Sequence, residues 1–110
     1  MPSQLDLEFA RRLGAAARGR FPDDRIEIRL FGSRARGDHH EDSDLDVLVL
    51  RDGEDRDTRT ALLDLGWDIA YELELPYPAS LQVMSRSHFQ RLLALETLYA
   101  RDIQQHGVVI

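Results

Sequence analysis

Hydrophobic positions recur along this chain with two different periods, and the switches between them divide it into elements. Leu5, Phe9, Leu13 and Ala16/Ala17 repeat at helical spacing behind a Ser3 cap with an acid at Asp6, and Gly19 offers a stop, which predicts a helix over 4–18. Phe21-Pro22-Asp23-Asp24 reads as a turn. From 25 to 31 the period drops to two. Ile26, Ile28 and Leu30 take one side and Arg25, Glu27 and Arg29 the other, the pattern of a half-covered strand. Residues 33–37 are expected as the first turn of a short helix or a helix-like turn, and Asp38-His39-His40-Glu41-Asp42 as a polar loop before a second strand over 44–50. A charged, glycine-containing loop over 51–57 leads to a helix over 57–74, with Leu62, Leu65, Ile69 and Leu73 as its apolar stripe and Pro76 and Pro78 as its stop. Leu81-Gln82-Val83-Met84 is a third strand. Ser85 then caps a C-terminal helix that uses Phe89, Leu92, Leu93, Tyr99 and Ile103, closes near Gly107, and can break at Thr97. Val108-Val109-Ile110 is short and fits a terminal strand. The order of elements gives an α/β (α+β) domain with a small mixed sheet flanked by helices.

The second strand differs from the first in being apolar on both faces. Leu48 and Leu50 share parity with Asp44 and Asp46, while Leu45, Val47 and Val49 take the other side. Such a strand belongs in the middle of a sheet. Asp is disfavoured in strands, and two like charges on one face repel. At about 3.3 Å per residue, the two Cα atoms lie roughly 6.5 Å apart with both carboxylates on one side. A divalent cation offsets that repulsion. Magnesium takes one or two carboxylates plus substrate phosphates, and a pair of ions can clamp both oxygens of an in-line displacement. The plainer alternative is a strand end whose acids sit in water or pair with Arg34 or Arg36. Gly32-Ser33, at a strand-to-helix junction, suits close approach of an anion to backbone amides, or simply a tight turn.

Length and charge narrow the picture. At 110 residues, the chain reads as one domain over 1–110. It has no cysteine, which excludes disulfides and thiolate metal sites. No apolar run reaches the ~20 residues of a membrane span, and Met1-Pro2-Ser3-Gln4-Leu5-Asp6 lacks a signal-peptide pattern, so a cytoplasmic protein is expected. A formal charge of −6 argues against general nucleic-acid binding. Every basic residue is Arg, and Asn is absent as well, a pairing that points to GC-rich coding.

The run Gly32-Ser33, ten residues, then Asp44-Leu45-Asp46 resembles the signature of the DNA polymerase β-like nucleotidyltransferase superfamily. Its fuller form, Gly32-Ser33-Arg34-Ala35-Arg36-Gly37 with Ser43-Asp44 following, is similar to the minimal nucleotidyltransferases, the MNT group. That group includes antitoxin-type partners of HEPN-domain proteins. The resemblance implies the nucleotidyltransferase fold and magnesium-dependent transfer of AMP from ATP to a protein hydroxyl. In it, Asp44 and Asp46 are the catalytic metal ligands, and Gly32, Ser33, Arg34 and Arg36 line the triphosphate. It leaves oligomeric state open. Many relatives add a third carboxylate from a later strand, where this chain places Gln82, an amide that cannot take a proton at neutral pH. The competing expectation is therefore a nucleotide-binding subunit that neutralises its partner by contact. A third reading, an ordinary small α/β domain, leaves the acids on a buried strand unexplained.

The other polar groups read as structure. Arg34 and Arg36 are expected either at phosphate or paired with nearby acids, and Ser43 at the start of the acidic strand. Arg11, Arg12 and Arg18 suit a solvated helix face. His39 and His40 are adjacent and so point apart, which does not suit zinc, and His88 and His106 read as surface residues. Asp68 and Glu72 would share one face of the second long helix.

Overall fold

The computed structural model describes residues 2–40 and 42–110, so Met1 and the Glu41 of the predicted polar loop lie outside the described residues. Helix α1 spans Gln4–Arg20, strand β1 Glu27–Phe31, helix α2 Gly32–Arg36 and strand β2 Leu45–Arg51. Helix α3 spans Arg56–Glu72, strand β3 Ala79–Ser85, helices α4 and α5 Arg86–Ala94 and Leu98–His106, and strand β4 Val108–Val109. The strands form one mixed sheet in the order β3-β2-β1-β4. β1 pairs antiparallel with β2 and β4, and β2 pairs parallel with β3, so α3 is the crossover between parallel neighbours. The expected α/β (α+β) class with a small mixed sheet is the one observed. No helix of the described residues is long and apolar enough to cross a membrane.

The central strand packs on both sides, as its composition requires. Leu45, Val47 and Val49 are fully buried in a core with Phe9, Leu13, Ala17 and Leu62, under α1 and α3. Leu48 and Leu50 join Phe31, Phe89, Ala100 and Ile103 in a second cluster under α4 and α5. Together they hold the start of β2 rigidly between two layers.

Several element ends differ from the sequence reading, each for a local reason. α1 runs past Gly19 to Arg20, because the stop is Pro22: it drives Phe21 out of helical geometry, to φ −125 and ψ 66. The Ser3–Asp6 capping box is complete, with Ser3 accepting from the Asp6 amide and Asp6 accepting from Ser3 N–H at 2.9 Å. β1 starts at Glu27 rather than Arg25, whose side chain instead grips Asp52 at 3.0 Å. β2 starts at Leu45, one residue after Asp44, and extends to Arg51. Arg51 is buried rather than part of a solvated loop, because Asp24 (2.8 Å) and Asp55 (2.7 Å) neutralise it. Asp55 also caps α3, which ends at Glu72 rather than residue 74. The last helix breaks at Thr97, whose hydroxyl accepts from the Ala100 amide at 3.2 Å and starts α5.

Candidate functional site

The site is assembled where β1 ends and β2 begins. Phe31 is the Cα partner of Asp46 in the antiparallel ladder, so Gly32 leaves the sheet directly beside the Asp46 side chain. A Cβ placed on Gly32 would sit 2.1 Å from Asp46 Oδ2, and Gly32 has φ +74. Both the close approach and the left-handed backbone require glycine here. The five-residue α2 that follows closes on Gly37, also left-handed at φ 86.

Asp46 is half-buried and Asp44 exposed, at the mouth. The Asp46 carboxyl is pushed above its ordinary value, first by burial and then by the charge of Asp44; Arg36 pulls the other way, and Asp102 adds a further upward push. Two neighbouring carboxylates of which one resists ionisation make a site short of positive charge. The oxygen donors, the mutual repulsion and the glycine cradle suit a divalent cation. Among the described residues, no three acidic or histidine side chains gather closely enough to hold a metal alone. Water and substrate phosphates would have to complete its coordination.

The two arginines have different surroundings. Arg34 is buried at 3% exposure, with Nε donating to the Ser43 carbonyl at 2.7 Å and Nη1 lying 3.5 Å from Asp6 Oδ1. Its guanidinium lies 3.4 Å from the centre of the Tyr77 ring, and the Tyr77 hydroxyl donates to the same Asp6 oxygen. Burial, followed by that bond to Asp6, pushes the Tyr77 hydroxyl upward. This cluster ties α1, α2, the segment before β2 and the turn before β3 into one block. It gives Arg34 a scaffold task. Arg36 stands at the mouth, with Nη1 3.3 Å from each Asp102 oxygen and Nε 3.4 Å from Asp38. Arg36 thus meets one acid of its own loop, Asp38, while Asp102 and the Asp6 beside Arg34 come from helices far away in the chain.

Gln82 lies on the acid face. β2 and β3 run in parallel register with Asp46 opposite Ser80 and Leu48 opposite Gln82, so alternation puts Gln82 on the same side as Asp46. Its Oε1 accepts a hydrogen bond from the Tyr99 hydroxyl. Burial and the negative charge of Asp46 push Tyr99 up to about 12, which keeps it protonated and donating. Tyr99 also packs edge-on against Phe31, with ring centroids 5.6 Å apart.

Tyr99 and Asp102, both on α5, are the residues that sequence reasoning missed at this site. Their i, i+3 spacing places them on one helix face. Nothing local says that this face meets a strand more than fifty residues earlier. Ser43 closes the loop before β2 by accepting from the His40 amide at 2.9 Å. Asp68 and Glu72 are exposed on α3 and are not brought to Asp46. Arg11, Arg12 and Arg18 are exposed, as expected.

Residues 11–110 match the family model described as a nucleotidyltransferase domain. Among curated proteins, no match to the chain is found. Among solved structures, the chain is similar to a crystal structure of a toxin–antitoxin with AMP-PNP, at 23% sequence identity, covering 91% of this chain and 70% of that one, with a TM-score of 0.55. It is also similar to a crystal structure from Sulfolobus solfataricus provisionally assigned as a nucleotidyltransferase, at 20% identity, covering 97% of this chain and 86% of that one, with a TM-score of 0.52. At these identities the two likenesses bear on the fold. Matched over 11–110 and carrying Gly32, Asp44 and Asp46 at one end of its sheet, the chain belongs to the nucleotidyltransferase domain family of nucleotidyl-transferring enzymes.

Proposed function

We propose that this protein transfers AMP from ATP to a hydroxyl of a protein partner, with magnesium, as the antitoxin of a HEPN/MNT-type pair. The observation that carries this reading is the Asp46 carboxylate set against the Gly32 backbone with Asp44 beside it, a cation site adjoining a turn that admits phosphate. The toxin–antitoxin neighbour with AMP-PNP supports both the nucleotide and the protein partner.

Asp44 and Asp46 would hold magnesium, which supplies charge neutralisation on the triphosphate and on the developing oxyanion. Gly32 and Ser33 bring backbone amides and a hydroxyl to the phosphates. Arg36 exchanges Asp102 for phosphate oxygens, since both are planar anionic acceptors and a triphosphate carries more charge. The acceptor oxygen attacks the α-phosphorus, the bond to the pyrophosphate oxygen breaks, and the acceptor's proton must find a base. Gln82 cannot take it. Asp102, released from Arg36 and already close enough to act on Asp46, is the carboxylate left to receive it. Phosphoryl-type transfer rests mainly on positioning and electrostatics, so this sparse set is enough for slow turnover.

The amide at Gln82 favours a second reading, a subunit that binds nucleotide and neutralises its partner by contact alone. Labelled ATP, magnesium and the product of the gene neighbouring this one, which the reading expects to be a HEPN-domain protein, separate the two. Label on the partner, absent with Asp44→Asn/Asp46→Asn, is the expected result. Calorimetric ATP binding with no transfer would select the contact-only subunit, and no ATP binding with any divalent metal would remove both.

A further inference from the structure

We propose that the C-terminal half of α3 is a docking face for a protein partner presenting Arg or Lys side chains around an apolar centre. Trp67 is 65% exposed and Tyr71 86% exposed. At i and i+4 they form one aromatic row on the helix. A single exposed aromatic needs no explanation, but an aligned Trp–Tyr pair is the composition that dominates binding energy at protein interfaces. Beside Tyr71 lies a groove of about 460 Å³, lined by Ala70, Tyr71, Glu72, Glu74 and Leu75.

The charges around this row work against the isolated fold. Asp64 sits three residues before Trp67 and Asp68 three before Tyr71, so acids flank the aromatics, and Glu72 and Glu74 follow. Among the described residues, none of these four carboxylates has an ion-pair partner. The last turn of α3 contains no basic residue. Acids there face the negative end of the helix dipole. Glu74 also holds a left-handed backbone, φ 51, just past the helix end, where glycine is the usual occupant. A cationic surface laid on this face turns the unpaired carboxylates and their repulsion by the helix end into an attraction. A second copy using the same face would bring acids against acids, which argues for a different, basic protein.

The face also lies where such a partner is useful. The turn after α3 leads through Tyr77, which lies against Arg34, to Pro78, whose carbonyl accepts from the Leu45 amide at 2.8 Å. Asp44 is the residue before Leu45. A partner seated on Tyr71 and Glu74 is thereby held at the end of the sheet that carries the acids, on the α1–α3 side, from which it reaches round that end to the face of Asp46.

The choice of partner rests on the functional reading above, and the test separates the two. The product of the neighbouring gene, on this reading a HEPN-domain protein, is immobilised. Full-length wild type, Trp67→Ala/Tyr71→Ala and Asp64→Asn/Asp68→Asn/Glu72→Gln are passed over it at low and high salt. Circular dichroism and ATP binding confirm that the variants are otherwise intact. The aromatic variant is expected to weaken affinity at least about 30-fold. The neutralised variant is expected to slow association about tenfold at low salt and to lose most of the salt dependence. Variants that bind as wild type does would overturn this inference and leave the transfer reading standing. A wild type that does not bind the HEPN-domain protein would overturn both. Concentration-dependent self-association in sedimentation, abolished by Trp67→Ala/Tyr71→Ala, would overturn the inference in favour of a second copy.

Discussion

Replacing Gly32 with Ala tests the central geometry in one methyl group. Two costs arise. Holding a non-glycine residue at φ +74 costs about 1–2 kcal/mol. The new Cβ, 2.1 Å from Asp46 Oδ2 and 3.1 Å from its Cγ, also forces the carboxylate off its rotamer, for about 0.5–1.5 kcal/mol more. The sum, about 2–3 kcal/mol, lowers the melting temperature by roughly 8–15 °C at about 4–5 °C per kcal/mol. In an Asp46→Ala background, the nearest remaining atom is the residue 46 Cβ, at an ordinary 3.4 Å. There the same substitution should cost only the backbone part, about 1–2 kcal/mol, leaving a coupling of about 1 kcal/mol in the double-mutant cycle. Thermal denaturation of the four proteins gives the cycle, and calorimetry with AMP-PNP and magnesium gives the functional readout. Equal cost in both backgrounds would refute the contact between the Gly32 turn and Asp46, and wild-type nucleotide affinity with unchanged metal dependence in Gly32→Ala would refute the proposed role of that turn.

Three further outcomes are expected. Asp46 has a folded-state carboxyl raised above its unfolded value of 3.8, so folding takes up a proton between the two values and stability falls as pH rises through that window. Asp46→Asn should therefore stabilise the nucleotide-free protein at pH 7, with the gain disappearing as pH falls below about 4, while abolishing metal-dependent nucleotide binding; melts across pH 3–8 check this. Asp6→Asn removes the carboxylate facing buried Arg34 and should cost about 3 kcal/mol in urea unfolding, against about 1 kcal/mol for Tyr77→Phe, which keeps the ring under the guanidinium. Arg36→Ala should weaken ATP binding about 10- to 100-fold with little change in stability, and Arg36→Lys should recover part of the loss; unchanged affinity would return Arg36 to a purely local ion pair.

The parts of this protein legible in its sequence are those written in nearest-neighbour spacing. Alternation put Asp46 on one face of a central strand, and the apolar run 45–50 called for cover on both sides; α1 with α3 and α4 with α5 provide it. Thr97 signalled a helix break because its side chain caps locally. What was not legible depends on distant partners. Arg34 and Arg36 are two residues apart in near-identical contexts. One turns inward only because Asp6, 28 positions earlier, and Tyr77, in a stretch that reads merely as a helix stop, wait for it. Arg51 looks like the start of a solvated loop until Asp24 arrives from the turn after α1. Asp102 and Tyr99 acquire meaning only when α5 folds back across the sheet.

The pairing of Phe31 with Asp46 in the β1–β2 ladder has a mechanical consequence. The turn proposed to receive phosphate and the acid beside it are clamped by one set of backbone bonds, so neither can travel without the other. Adjustment around a substrate is left to the Tyr99 and Asp102 side chains on α5, a helix that is anchored to the same core by Ala100 and Ile103 and enters through a left-handed turn at Glu96, φ 56. One half of the machine is an anvil, and amide exchange on nucleotide addition should slow in residues 95–102 while the ladder stays unchanged.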